Sequence, residues 1–449
     1  MPCFLHLADI HLGYSKYNNP TRTLDFFYAL EDALQRYALA QPVDFVIMAG
    51  DLFEHRNILP SVLNQAQYCL KLLQEAGIPV LTIEGNHDHR PYGTKTSWLR
   101  YLAEQNQLIL LEPDHGEEAG AIFQPWDPGK KAGGYIDLDC GVRVLGSNWY
   151  GSSAPQAIAA LAEGLRHLPP APGPTIMLFH HGLEGEIARY SGALRESELL
   201  PLREAGVHYL AMGHIHKSYT KGNWIFNPGS LEANSVAESQ YDRGVFRVTI
   251  ELEPGAIDPQ ADPKIDPQAN PQARLPVQIN AELKQDYRQR SIQRLTLMAQ
   301  KTWTPAQLEA AAIEAIQAKA QQDKTQGAIV ELRIQGQVGF NRLDLNVRQL
   351  REQLLDLSGA LIFLLKYEVT GTEYLSPIPQ GEAQPSRDAI EAIVFGDLLA
   401  AHPVYGDRAD RLAKGLIGLK ERVLAQQPEA DLYGQVEALL GEVATDPEH

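Results

Sequence analysis

Short, unbroken apolar runs alternate with amphipathic stretches over residues 1–252. The runs are CFLHLA, VDFVIMAG, IPVLTIEG, VRVLGS, PTIMLFHH, VHYLAMGH and GVFRVTI. They lack the apolar/polar alternation of a half-exposed sheet, so they predict strands buried on both faces. Between them apolar residues recur at helical spacing, which predicts helices near Arg22–Leu39, Leu59–Glu75, Thr96–Gln105, Pro155–His167 and Glu196–Glu204. Strands and helices in this order indicate a layered α/β domain over 1–252.

The pattern then changes. Residues 253–276 place Pro259, Pro263, Pro267 and Pro271 four residues apart in polar text. Such a stretch cannot build a core and predicts an extended Pro-rich linker, with an expanded loop inside a domain as the alternative. Residues 277–375 read strand, helix, strand, helix, strand: SIQRLTLMA, TPAQLEAAAIEAIQAKAQQ, AIVELRIQGQV, DLNVRQLREQLLD and ALIFLLKYEVT. That is a small α+β domain. A helical tail over 386–449 carries Ile390, Ile393, Val394 and Leu398 at helical spacing, a face suited to docking on a partner or back on its own chain.

Length and charge narrow the functions. A chain of 449 residues exceeds one ordinary core. A formal charge of −17 excludes an overall basic nucleic-acid clamp, so contact with a polyanion requires a local patch, metal ions or a partner. Cys3, Cys69 and Cys140 are odd in number and form no CxxC pair, which disfavours a disulfide framework or thiolate metal site and fits a reducing compartment. The N-terminal text has Asp9 and His11 where a signal peptide is apolar, and no apolar run approaches the roughly 20 residues of a membrane span. A cytoplasmic protein without membrane contact is expected.

The chemistry sits at the strand ends. CFLHLA is followed by Asp9 and His11, VDFVIMA by Gly50-Asp51, and IPVLTIE by Gly85-Asn86-His87-Asp88. PTIMLF runs into His180-His181, and VHYLAM into Gly213-His214-Ile215-His216. Carboxyl ends of strands in an open α/β sheet converge on one edge. Each fragment alone is weak, because DxH and HxH are usually incidental and GNHD reads as a turn. Five such clusters, all at strand ends and all of oxygen or imidazole type, point to metal. Without thiolate the set suits Mn²⁺, Fe or Zn²⁺, and it is large enough for two ions sharing a carboxylate. Two ions roughly 4 Å apart clamp a phosphoryl group and make hydroxide available near neutral pH.

The order D-x-H, GD, GNHD, H, GHxH resembles the calcineurin-like metallophosphoesterase superfamily over residues 1 to about 250. HLADIHLG, GDLF at Gly50–Phe53 and the following small α+β domain resemble the SbcD-type DNA repair exonucleases. The resemblance implies a layered β-sandwich flanked by helices, a capping DNA-binding domain and a C-terminal helical segment that binds an SbcC-type coiled-coil ATPase. It also implies a homodimer acting as a DNA exonuclease and endonuclease with two divalent ions, most often Mn²⁺. Asp9, His11, Asp51 and His216 would hold one ion and Asp51, Asn86, His180 and His214 the other, with His87 as the acid. The alternatives are a stand-alone phosphodiesterase for small phosphoesters, sharing the same constellation, and a non-catalytic scaffold.

One position departs from the resemblance. Many such nucleases have histidine directly after GDLF; here Glu54 stands there and His55 follows. A one-residue shift makes His55 a candidate substrate contact, and His181 is another. Asp88 either orients His87 or caps a turn. His6 is expected to be a satisfied core or surface histidine. Lys284, Arg288, Arg290, Arg294 and Lys301 form the densest basic run, flanked by Tyr287 and Trp303, and read as a solvated face or a DNA path.

Overall fold

The computed structural model describes residues 1–91, 93–94, 96–114, 122–186, 192–252, 277–322, 324–371, 391–392, 394–396, 399, 408–425 and 427–440. Two compact units emerge: Met1–Ile292 with Gly327–Ile329, and Gln293–Gln326 with Val330–His449.

In the first unit β1 (Cys3–Leu7), β2 (Phe45–Met48), β3 (Val80–Thr82) and β4 (Ile109–Leu110) run parallel, side by side. A second sheet combines β5 (Tyr135–Asp137), β6 (Arg143–Leu145), β7 (Thr175–His180), β8 (Tyr209–Gly213), β9 (Tyr219–Lys221) and β10 (Ile225–Asn227) in the order β5-β6-β7-β8-β10-β9. β11 (Val245–Leu252) and β12 (Val277–Lys284) extend the first sheet as antiparallel strands beside β1.

Why the strands read as unbroken apolar runs is visible in the packing. Alternate side chains enter two different cores. Phe4, Phe45, Ile47 and Leu81 meet Ile176, Leu178, Tyr209 and Ala211 between the sheets. Leu5, Leu7, Val46 and Met48 face outward onto α1 (Pro20–Leu34), α2 (Pro60–Glu75) and α3 (Trp98–Glu104). Met177, Phe179, Leu210 and Met212 do the same against α4 (Ala154–Arg166) and α5 (Glu196–Glu204). The result is a sandwich of two sheets with helices on both outer faces, and all five expected helices are present. His6 lies fully buried between the sheets, with Nδ1 2.9 Å from the Tyr209 hydroxyl and Nε2 3.1 Å from the Met212 carbonyl. It is the satisfied core histidine.

Two boundaries differ from the sequence reading. Val277–Lys284 pairs with β11 over its whole length, from Val245↔Lys284 to Leu252↔Val277. It therefore completes the first sheet instead of opening the next domain, and the first unit runs to Ile292. Residues 253–276 lie outside the described residues, but their flanks are paired neighbours. The segment thus links two strands of one sheet. Proline and polar text report that a core is absent; they do not report whether the two ends meet again.

The second unit contains β13 (Ile292–Ala299), α6 (Pro305–Ala320), β14 (Ile329–Gln337), α7 (Val347–Ser358) and β15 (Ile362–Thr370), with sheet order β13-β14-β15. A Thr304/Gln307 capping box starts α6, and left-handed Gly359 ends α7. The basic run is largely consumed by ion pairs and packing. Arg290 holds Asp25 and the Gly327 carbonyl, Arg288 stacks on Tyr28 and Arg294 pairs with Glu331. Tyr287 is buried and donates to the Leu231 carbonyl, so stacking on bases is closed to it. In the tail, α8 (Ala409–Leu424) packs on α9 (Glu429–Leu440). Leu416, Val423, Leu424 and Tyr433 remain exposed there. Val394 is half-exposed, while Ile390, Ile393 and Leu398 lie outside the described residues. Among the described residues no helix is long and apolar enough to cross a membrane.

Candidate metal centre

Because β1, β2 and β3 are parallel, and β7 and β8 likewise, both sheets end at the same edge of the sandwich. The turns there are bent sharply. Asp9, His11, Asp51 and His214 all have positive φ, between 51° and 89°, a left-handed conformation that non-glycine residues rarely adopt. Strain of this kind persists where the surroundings over-determine it, and it collects at functional sites. Here main-chain bonds impose it: the Ile10 and His11 N–H groups both donate to the Asp51 carbonyl, at 2.9 and 3.0 Å.

Glycine makes the approach possible. A Cβ on Gly85 would sit 2.1 Å from Asp51 Oδ1, and one on Gly50 would sit 2.5 Å from His180 Nδ1. Gly85→Ala should therefore displace Asp51 and weaken metal uptake while the sandwich still folds. Metal content after dialysis checks this, and wild-type loading would show that the close approach is unimportant.

The seven expected donors gather into two groups. Asp9, His11 and His216 offer donor atoms all within 4.8 Å of one another, and so do Asp51, His180 and His214. Asp51 joins the groups: its Oδ2 lies 3.2 Å from His180 Nε2 and 4.0 Å from His11 Nε2. Asn86 Oδ1 enters the second group, 2.8 Å from His214 Nδ1 and 3.1 Å from His180 Nε2. His11 and His216 bring their Nε2 atoms to 3.1 Å. Ligands held about 2.1 Å from an ion lie roughly 3–4 Å apart, so both groups have the spacing and the oxygen and imidazole character of divalent-ion sites.

Supporting contacts turn each ring. The His180 Nδ1–H donates to the Ala49 carbonyl at 2.7 Å, leaving Nε2 for the site. His216 Nδ1 lies 3.4 Å from Glu238 Oε1, and His11 Nδ1 lies 2.8 Å from Glu54 Oε2. Such outer partners fix the tautomer and raise ligand basicity. Asn227 Nδ2 donates to the Ile215 and Lys217 carbonyls, which ties the end of β10 to the loop carrying His214 and His216. Asp88 resolves as the turn cap: its two oxygens accept from the Leu52 and Gly85 N–H groups, each at 2.7 Å.

His87 is the partly open member. Its backbone N–H donates to Asp51 Oδ1 at 2.9 Å and its Nδ1 donates to the Glu54 carbonyl at 2.7 Å, with a side chain 36% exposed. It also groups with His11 and Glu54 within 4.8 Å. Exposed His55 lies beside it in a cleft with Arg56, Asn57 and Asn86. His181 is buried, with its ring nitrogens 3.0 and 3.1 Å from the Gly151 and Gly182 carbonyls. Its ring stacks on Trp149 beside His214. Sequence reasoning missed Glu238, Arg56 and Trp149, whose ring covers His180, His181 and His214 at centroid distances of 5.7, 5.7 and 5.3 Å.

Electrostatically the cluster is arranged for cations. Burial raises Asp51, but the charge and hydrogen bond of His180, with His11 and His87 behind, hold it well below the usual carboxylate range. Burial lowers His180, yet Asp51 and then Asp9 push it up to about 9. His216 also rises to about 9, the Glu238 contact and Asp9 overcoming burial. His214 falls to about 3 through burial and the neighbouring charge of His180. Two imidazoles thus hold protons at neutral pH that an incoming ion must displace. Affinity for Mn²⁺ should rise as pH increases toward about 9, by about tenfold per unit for each proton displaced, and then level. Titrations in buffers of different ionisation enthalpy count the released protons; a pH-independent affinity with no release would contradict this.

Comparison with known proteins agrees with the geometry. Residues 4–218 match the calcineurin-like phosphoesterase family model. The DNA double-strand break repair protein Mre11 of Archaeoglobus fulgidus is 31% identical over 246 residues, 53% of this chain and 51% of that protein. The protein of that name from Aeropyrum pernix is 27% identical over 221 residues, 48% of this chain and 49% of the relative. The one from Haloferax volcanii is 44% identical over 124 residues, 27% of each chain. The chain thus spans about half the length, or less, of the curated relatives it matches.

Proposed function

We propose that residues 4–218, which match the calcineurin-like phosphoesterase family model, form a phosphoesterase domain and that the chain is a dinuclear-metal nuclease hydrolysing phosphodiester bonds in DNA. The observation that carries the reading is the pair of donor groups sharing Asp51. Asp9, His11, Asp51 and His216 would hold one divalent ion and Asp51, Asn86, His180 and His214 the second, Mn²⁺ being the ion we favour. The ions supply Lewis-acid stabilisation of the phosphoryl group and activate the nucleophile. His87 keeps Nδ1–H on the Glu54 carbonyl, so the proton it exchanges with a leaving oxygen is the one on Nε2. His55 and Arg56, beside His87 in the open cleft, would meet the phosphate.

The relatives' names supply the DNA and repair part of the reading, and the cytoplasm is the compartment we assign. We further propose exonuclease and endonuclease action in a homodimer, with residues 293–371 as the capping domain that meets DNA. The C-terminal helices, whose Leu416, Val423, Leu424 and Tyr433 are exposed, would receive an SbcC-type coiled-coil ATPase. The test offers the full chain linear DNA and bis(p-nitrophenyl) phosphate, each with Mn²⁺ and with chelator. Metal-dependent cleavage of both is expected; cleavage of the small diester alone would favour a stand-alone phosphodiesterase, and cleavage of neither a scaffold. Deleting everything after Pro385 should keep diester cleavage and lose the ATPase, and full co-purification would refute the docking role.

A further inference from the structure

We infer that Glu54 is a positioning residue that sets both imidazoles at its edge of the site, His11 through its carboxylate and His87 through its carbonyl. The inference rests on the metal-centre reading above. Its main chain is fixed from both sides. The Glu54 N–H donates to the Leu12 carbonyl at 3.0 Å, Leu12 and Phe53 form a β-bridge, and the Leu52 N–H is held by Asp88. From that fixed point the carbonyl oxygen accepts from His87 Nδ1 at 2.7 Å. The side chain turns inward, only 12% exposed, and brings Oε2 to 2.8 Å from His11 Nδ1 and 3.8 Å from His87 Nδ1. Among the described residues neither His11 Nδ1 nor Glu54 Oε2 makes a hydrogen bond, so their 2.8 Å approach is a close charge contact without hydrogen-bond geometry.

Each contact has a chemical consequence. A carboxylate beside Nδ1 keeps the proton on that nitrogen and leaves Nε2 as the lone-pair donor. His11 Nε2 is the atom that faces the site, 3.1 Å from His216 Nε2 and 4.0 Å from Asp9 and Asp51. The alternative, that Glu54 takes over a phosphate contact where many of the resembled nucleases have histidine, is electrostatically unfavourable. An ionised carboxylate donates no hydrogen bond and repels a phosphodiester. Glu54 is turned toward the ligand behind it.

The test uses the full chain, metal-free, titrated with Mn²⁺ by calorimetry in wild type, Glu54→Gln and Glu54→Ala. Wild type should take up two ions. Glu54→Ala should weaken one of them by about 10–100-fold, the cost typical of removing a ligand's outer partner, and isosteric Glu54→Gln, which keeps an acceptor oxygen, by less. Because the carbonyl that holds His87 survives every side-chain change, turnover of Glu54→Ala at saturating Mn²⁺ should stay well above that of His87→Gln. Equal Mn²⁺ affinities in all three proteins would overturn the inference, leaving the metal centre standing. So would equal weakening of both ions together with a lower metal-free melting temperature, which marks a packing role. A wild type that binds no Mn²⁺ would overturn the metal centre and this inference together.

Discussion

Replacing Asp51 with alanine is expected to remove both bound ions and reduce cleavage of any phosphodiester to below ~10⁻³ of wild type. Loss of a single preorganised electrostatic contact already costs about 10²–10³ in turnover, and Asp51 makes several at once. Its Oδ2 approaches His180 and His11, one from each donor group, while its Oδ1 accepts the His87 backbone N–H. It also sustains the elevated proton affinity of His180, so its removal leaves buried imidazoles without their counter-charge. Asp51→Asn separates the roles, since an amide oxygen can still accept from His87 but brings no charge to the ions. If either variant keeps two ions and wild-type turnover on bis(p-nitrophenyl) phosphate, Asp51 is not the shared ligand.

The clustering of these side chains was legible in the sequence because each follows an apolar run that is buried on both faces. Packing forces such runs to be strands, parallel pairing forces their ends to one edge, and Asp9, Asp51, Asn86, His180 and His214 are the residues left at those ends. The helices were legible for the same reason, their apolar stripes having only the outer sheet faces to cover. What stayed hidden depends on contacts between segments distant in sequence. Glu238 reaches His216 from a separate turn, and Trp149 covers three histidines contributed by β7 and β8. Asp88 looked like a partner of its neighbour His87, yet its oxygens cap the Leu52 and Gly85 amides. The start of the second domain was misplaced because β12 has the half-exposed alternation of an edge strand, which composition alone cannot assign to one sheet or another.

His87 and Asn86 are adjacent, and the structure sends them to different tasks. Asn86 Oδ1 points between His180 and His214, whereas His87 turns toward Glu54 and remains partly exposed. His87→Gln should therefore keep both ions, bind DNA nearly as before and lose about 10²–10⁴-fold in turnover, the contribution of a positioned proton donor. Its Nδ1 contact is to a carbonyl that stays in place, and a glutamine amide can restore that hydrogen bond, so the fold around it should hold. His214→Gln removes a ring from the second donor group, beside Asn86 and Asp51. It should lose one ion, with activity that excess Mn²⁺ partly restores by mass action. The ion count separates the two substitutions before any rate is measured. If His87→Gln is the protein stripped of metal, His87 belongs with His11 and Glu54 as a ligand, and the proton donor must be sought among His55 and its neighbours in the open cleft.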